Sequence, residues 1–454
     1  MGNGASGAAE LLEDTEDPAV LQTLCGKLSD LIEEDPACER WCKPILEKAL
    51  PDDLDAQAWK ARRKALHDAA CAFVAIVEAA GGAAPTDTDE LVTAQTAVGT
   101  TLNLSLADRD SNEVVGALYA FRLPALAELP SPVLALGSKI TELSLKKNGL
   151  KEIPAAIGTL TGLTSLDLSE NALETLPDEI CALSALETLD ASENCLTALP
   201  ENLGNLTSLQ TFFLFKNALT KLPDSIGGCA QLSELNLFNN KLIKIPATLA
   251  EIEALVDLNL GGNKLKTLPS TKRWINLERL ALSWNTIVML NDFGGMPKLR
   301  QLQLNRNQLA EIPDDALVGC DDLESVDLST NRLTALPLSL LQCSGIQTLD
   351  ATSNELSALA DCSALRSLKI LKLGSNKLVD ITESNLGKCV ALETLFLPSN
   401  QLAKLPADLT DLVNLSRANV SGNAQTLDRA DPETARVVST LSEQCAQKGG
   451  RWIE

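Results

Sequence analysis

At 454 residues the chain is too long for one ordinary globular core; it suits two or three domains, or one elongated repeat domain with an added module. It is 45% hydrophobic, ample for a core, and its formal net charge of -23 argues against nucleic-acid binding and against an electrostatic hold on anionic lipid, since both need surplus Lys and Arg. The 12 cysteines are scattered without a C-x-x-C pair, and no stretch reaches the roughly 18 apolar residues of a membrane span, so a reducing, cytoplasmic setting without a transmembrane segment is expected.

Residues 1–16 form an acidic N-terminal stretch that opens Met-Gly-Asn-Gly-Ala-Ser. This matches M-G-x-x-x-[ST], with Gly2 as the acceptor of a myristoyl group. One acyl chain gives only weak, reversible membrane binding. The usual second signals are missing, because no cysteine precedes Cys25 and the flank carries Glu10, Glu13, Asp14, Glu16 and Asp17. An acylated form would visit membranes peripherally.

Residues 17–82 read as a helical bundle. Asp17-Pro18 and Asp35-Pro36 each place a capping Asp before Pro at the first helical position, and Leu21, Leu24, Leu28 and Leu31 line one face. A third helix over about 53–78 ends at Gly81-Gly82 and carries the basic cluster Lys60, Arg62, Arg63 and Lys64, more simply a solvated face than a docking site. Cys38 and Cys42 share a helix face but lack the further ligands of a zinc set, and His67 is the single histidine. Residues 83–139 read as a linker followed by an N-terminal cap, with a strand in "TLNLSLADRD" and a degenerate half repeat in "LPALAELPSPVLAL".

From 140 to 426 the chain repeats itself. "LTSLDLSENAL" (163–173), "LSELNLFNNKL" (232–242) and "LRQLQLNRNQL" (299–309) each fit L-x-x-L-x-L-x-x-N-x-L. The Asn recurs at 148, 171, 194, 217, 240, 263, 285, 307, 331, 354, 376, 400 and 423, always 22 to 24 residues apart. Period-two alternation sends the leucines of L-x-L to one side of a short strand and the x residues to the other. Each Asn carries a donor and an acceptor for the adjoining turn, so stacked copies would form a ladder. Pro follows the Asn by six residues at 154, 177, 200, 223, 246, 269, 313, 337 and 406, which favours a tight return path over a long helix. Asn291, Ala360 and Thr382 replace it in repeats 7, 10 and 11, where a different bend is expected. The last repeat drifts, with Ala418 and Gln425 where leucines belong, and residues 427–454 read as a C-terminal cap with a helix.

This signature is that of the leucine-rich-repeat superfamily. The L-P-x-x-I-x-x-L second half, as in "LPDEICAL" (176–183), resembles the class found in intracellular Ras-pathway scaffolds of the Shoc/Sur type and in plant Ras-group repeat proteins. The resemblance implies an α/β solenoid, a horseshoe with a parallel concave sheet, here preceded by the small α-helical domain. Cys229, Cys320, Cys343 and Cys389 lie three residues before the first repeat leucine, a column otherwise filled by Leu, Ile, Trp and Met, so they are expected to be buried core residues.

Register assigns the aromatic residues of "TFFLFKN" (211–217). Phe212 takes a core leucine position, whereas Phe213 and Phe215 take outward x positions. Phe238 and Trp284 lie outward in repeats 5 and 7, and Phe396 is an outlier in repeat 12. Asn236, Asn259, Gln303 and Asn305 share the neighbouring columns, bordered by Arg279, Arg300 and Arg306. Exposed aromatics beside Arg are what protein-binding hot spots use; the alternative is that the rings pack on one another. Asp167, Glu170, Asp190 and Glu193 on one side, with Asp327 and Asp350 on the other, would favour a partner with a basic rim.

No nucleotide-binding, zinc-protease, hydrolase-elbow or kinase motif occurs, and a single histidine, His67, excludes most histidine-based triads. The expectation is therefore a non-catalytic scaffold or adaptor without cofactor or metal, binding a protein partner on the concave face in intracellular signalling. A regulatory subunit of an enzyme such as protein phosphatase 1, or a structural component of a ciliary or cytoskeletal assembly, are the alternatives.

Overall fold

The computed structural model describes residues 93–95, 100–106, 114–120, 138, 140–423 and 427–453. Gly2, the basic cluster, Cys38, Cys42, His67 and the helices read over 17–82 lie outside the described residues. The chain divides into two compact units between Ala218 and Leu219.

In the first unit, β1 (Thr93–Gln95) pairs antiparallel with β2 (Thr100–Leu106), and β2 with β3 (Val114–Ala120). The alternating sequence of β2 marks it as a strand in advance; β3, "VVGALYA", escapes such a reading because Gly and Ala interrupt its pattern. β3 then runs parallel to β4 (Ile140–Ser144), with a register shift at Gly116/Ala117. Thus an antiparallel hairpin leads into parallel repeat strands β5 (Ser165–Asp167), β6 (Thr188–Asp190) and β7 (Thr211–Phe213), whose registers align Leu143, Leu166, Leu189 and Phe212. All four are essentially inaccessible to solvent.

The second unit continues the same plan. Its strands β8 (Glu234–Asn236), β9 (Asp257–Asn259), β10 (Arg279–Ala281), β11 (Gln301–Gln303), β12 (Ser325–Asp327) and β13 (Thr348–Asp350) are parallel and in register. β14 (Ile370–Lys372), β15 (Thr394–Phe396), β16 (Arg417–Asn419) and β17 (Arg451–Ile453) extend the sheet. From β5 to β16 each repeat strand is only three residues long because the chain turns at once. The residue before the ladder Asn is left-handed in all thirteen repeats, from Lys147 (φ 59°) to Gly422 (φ 77°). That geometry costs an L-residue roughly 1–2 kcal/mol. It is offset by bonds between repeats: the N–H of Lys147 donates to Ser169 O at 2.9 Å, that of Glu170 to Ser192 O at 3.0 Å and that of Arg306 to Ser329 O at 2.8 Å.

The Asn ladder closes the turn. Asn263 Nδ2 donates to Leu237 O (3.0 Å) in the preceding repeat and to Leu260 O (2.9 Å) and Gly261 O (3.2 Å) in its own, while its Oδ1 accepts from Leu242 N–H at 3.0 Å. These backbone groups are buried and have no water to fall back on. Asn263→Ala is expected to lower the stability of the second unit by about 2–3 kcal/mol, read from its urea midpoint, without changing the far-UV spectrum at low denaturant.

The prolines set the return path. Pro154, Pro177, Pro223, Pro246 and Pro406 are extended, with ψ near 146–150°, and each opens a five-residue 3-10 turn. The proline carbonyl accepts the first turn bond, as from Ile157 N–H to Pro154 O at 3.0 Å. Where Pro is replaced, the path differs. Repeat 7 runs through left-handed Asp292, Gly294 and Gly295, repeat 11 through left-handed Asn385, and a β-bridge joins Ala358 to Asp380.

The column three residues before the first leucine is buried at Cys229, Cys320 and Cys389, as at Trp274 and Met296. Cys343 departs from the expectation and is only half-buried. Its repeat returns through an α-helical turn, α1 (Leu338–Leu341), which seats Leu340 and Leu341 in the core and leaves the Cys343 thiol donating to Ser339 O at 3.2 Å. Burial pushes the thiols of Cys343 and Cys389 up to about 11, far from a reactive range. Among the described residues no group of His, Cys, Asp or Glu could hold a metal ion, and no helix is long and apolar enough to cross a membrane.

Candidate functional site on the strand face

The outward side chains of the strands and of the turns after them form the candidate surface, taken one unit at a time. In the first unit much of the acidic row is already engaged. Asp167 and Asp190 each accept from the N–H and hydroxyl of the serine two residues on, at 2.6–2.9 Å. Burial holds the Asp190 carboxyl above its ordinary value. Glu170 lies between Lys146 (3.3 Å) and Lys147 (3.0 Å), whose hydrogen bonds draw its pKa down, and Glu193 pairs with Lys216 at 3.0 Å. These carboxylates are met within their own repeat or from an adjacent one, which weakens the expectation of a basic rim. Phe212 is fully buried, while Phe213 and Phe215 are half-buried, their rings tilted by 58° with centroids 6.5 Å apart.

The second unit sorts the remaining residues into two sets. In the first set the side chains serve the fold. Asn236 Oδ1 accepts from Phe238 N–H and Asn259 Oδ1 from Gly261 N–H, both at 3.0 Å, fixing the bend after the strand. Asn305 Oδ1 accepts from the Ser283 hydroxyl. Arg279 pairs with Asp257 at 2.6 Å and Arg300 with Glu324 at 3.4 Å, exposed pairs of little weight for stability. In the second set the side chains are offered to solvent: Phe238 is 38% and Trp284 56% exposed, and Gln303 and Arg306 are exposed too. Arg306 stacks its guanidinium 4.0 Å from the centre of the Trp284 ring.

Sequence reasoning passed over Gly261 and Gly262, which make repeat 6 the one repeat with Gly at both positions before the ladder Asn. A Cβ on Gly261 would lie 3.2 Å from Phe238 Cδ2, and one on Gly262 3.1 Å from the Asn239 nitrogen, so the Phe238 ring edge rests on bare backbone. The Gly-Gly pair in the x-x positions before Asn263 was the available signal.

The family model "Leucine-rich repeat region" matches residues 139–217, and "Leucine rich repeat" matches 297–356. Rabbit (Oryctolagus cuniculus) lumican is 32% identical over 143 residues, a match that takes in 31% of this chain and 73% of lumican. The chain belongs to the leucine-rich-repeat superfamily. Among other leucine-rich-repeat proteins, mouse (Mus musculus) PH domain leucine-rich repeat-containing protein phosphatase 1 is 31% identical over 88 residues, 19% of this chain but only 5% of the phosphatase. The solved structure of a leucine-rich-repeat protein from Leptospira interrogans superposes with a TM-score of 0.56 at 26% identity, covering 71% of this chain and 90% of that one. Proteins of this superfamily generally mediate protein–protein interaction.

Proposed function

We propose that this leucine-rich-repeat protein is a non-catalytic scaffold or adaptor that binds a protein partner on the outward strand face of its repeats. The observation that carries the reading is the exposure of Trp284, at 56%, while the strand leucines Leu280 and Leu282 of its repeat, pointing to the opposite side, are buried. A large rigid aromatic left in water beside arginine contributes nothing to the core and much to a protein contact. The L-P-x-x-I-x-x-L repeat form, similar to that of intracellular Ras-pathway scaffolds, supports signalling in the cytoplasm as the setting, with peripheral membrane contact if Gly2 is acylated.

The test is quantitative affinity capture from cell extract, comparing the wild-type chain with the Phe213→Ala/Phe215→Ala/Phe238→Ala/Trp284→Ala variant. At least one partner is expected to fall by about tenfold or more with the variant, while the unfolding midpoint moves little. An unchanged partner set with a stable variant defeats the reading. The match to a mouse protein named as a phosphatase keeps a second reading in play, that of a phosphatase regulator; phosphatase activity recovered with the wild-type chain and lost with the variant would select it.

A further inference from the structure

Of the thirteen left-handed residues that precede the ladder Asn, twelve are polar or Gly and one is Trp284, at φ 58°. A bulky aromatic is poorly suited to that conformation, and here it is also mostly exposed, so neither burial nor backbone preference accounts for it. Its surroundings supply the missing term. On the repeat 8 side, Arg306 lies against the indole at 4.0 Å. On the other side, repeat 6 presents the bare backbone of Gly261–Gly262, with the Phe238 ring edge of repeat 5 resting on it. The two glycines leave room for the Phe238 ring to lean over their backbone toward Trp284, with no other side chain of repeat 6 between the two aromatics at these positions.

Charge identifies the occupant. Arg279 and Arg300 each hold a carboxylate. Arg306 carries no ion pair among the described residues; the stack fixes the plane of its guanidinium and leaves its N–H edge for a carboxylate to meet as a fork.

The geometry points to an extended acidic–aromatic segment of a partner protein, its Asp or Glu on the edge of Arg306 and its large apolar side chain on the exposed face of the Phe238 ring where that ring overlies Gly261–Gly262, facing Trp284. This rests on the strand face being the binding face. Adjacent strands lie about 4.8 Å apart, so the two subsites, two repeats apart, are separated by about 10 Å; three residues of extended chain at about 3.3 Å each span that distance. The segment would cross the strands with an aromatic or large aliphatic residue three positions from an acid, in either order.

A library of random dodecapeptides displayed on phage, panned against the full chain, tests this alongside Trp284→Asn and Arg306→Gln. Asn suits the left-handed position, as Asn239 shows in repeat 5, so Trp284→Asn should hold or raise the unfolding midpoint. The expected result is enrichment of Asp or Glu three positions from Trp, Phe or Leu, with synthetic copies of the retained peptides binding each variant about tenfold or more weakly. Retained peptides that lack an acid yet lose binding with Trp284→Asn overturn the acidic segment and leave the binding face standing. Peptides that bind both variants as well as wild type, or a library from which nothing is retained, overturn the inference; the capture experiment above then decides independently whether the face binds protein at all.

Discussion

Replacing Trp274 with alanine is expected to lower the stability of the second unit by about 3–5 kcal/mol, measured by urea denaturation. Trp274 is wholly buried, the largest side chain in the column three residues before the repeat leucine. Its indole Nε1–H donates to Leu249 O, 3.2 Å away in the preceding repeat. Truncation thus removes a large apolar volume and one of the two hydrogen bonds to the Leu249 carbonyl, which keeps only the Ile252 N–H at 3.3 Å. The neighbourhood is poorly placed to collapse into the space, because Thr271 is pinned in the same return path: its hydroxyl donates to Gly294 O at 3.0 Å and accepts from Gly294 N–H at 2.9 Å. Trp274→Phe keeps most of the volume and loses the hydrogen bond, so a smaller loss of about 1–2 kcal/mol is expected. The contrast with Trp284, ten residues on, is the sharpest check on the register: Trp284→Asn should cost no stability. A Trp274→Ala loss no greater than that of Trp284→Asn would falsify the assignment of the column to the core.

That contrast was legible in the sequence, and the reason is periodicity. A spacing of 22 to 24 residues fixes every position relative to the ladder Asn, so Trp274 falls in an apolar column and Trp284 in an outward one whatever their local propensities. The same register gave Phe212 to the core and the tight proline-led return paths to the turns. What resisted prediction was set by contacts between repeats. Left-handed backbone at Lys147, Glu170, Glu193 or Thr330 cannot be read from residue type, because it is the N–H bond to the next repeat that holds it there. Asn236 and Asn259 have the composition of a binding surface, yet each caps the backbone two residues ahead. The acidic residues looked like a field; Glu170, Glu193 and Asp350 instead meet lysines one repeat away. Cys343 follows its column in sequence and leaves it in space because one repeat returns through an α-helical turn. Within the candidate site, the outward arginines were identifiable, but which of them remained without a carboxylate was not.

Removing residues 427–454 is expected to have the largest effect of all: loss of at least about 5 kcal/mol from the second unit, with association of the truncated chain. Helix α2 (Pro432–Gln447) begins with Asp431 as its cap, accepting from Thr434 N–H at 2.9 Å, and buries Val437, Leu441 and Cys445. Three such side chains, at about 1.5–3 kcal/mol for each large aliphatic one, supply that magnitude before the strand is counted. β17 then pairs with β16, Val420 N–H donating to Ile453 O at 2.8 Å and Arg451 N–H to Ser416 O at 3.0 Å. Without it the last parallel strand presents open N–H and C=O groups beside Leu415 and Ala418, now at the end of an uncovered core, and an edge of that kind recruits other chains. Gly450→Ala separates the strand from the helix. A Cβ there would sit 1.8 Å from Ser416 O, so β17 must withdraw while α2 can remain. If the helix alone closes the core, Gly450→Ala will be monomeric by light scattering and only modestly destabilised. If the paired strand is what prevents association, the single methyl group will reproduce the oligomers of the truncation while keeping most of the helix signal in the circular dichroism spectrum. The geometry favours the second outcome, because the helix covers side chains but only the strand satisfies the backbone edge of β16.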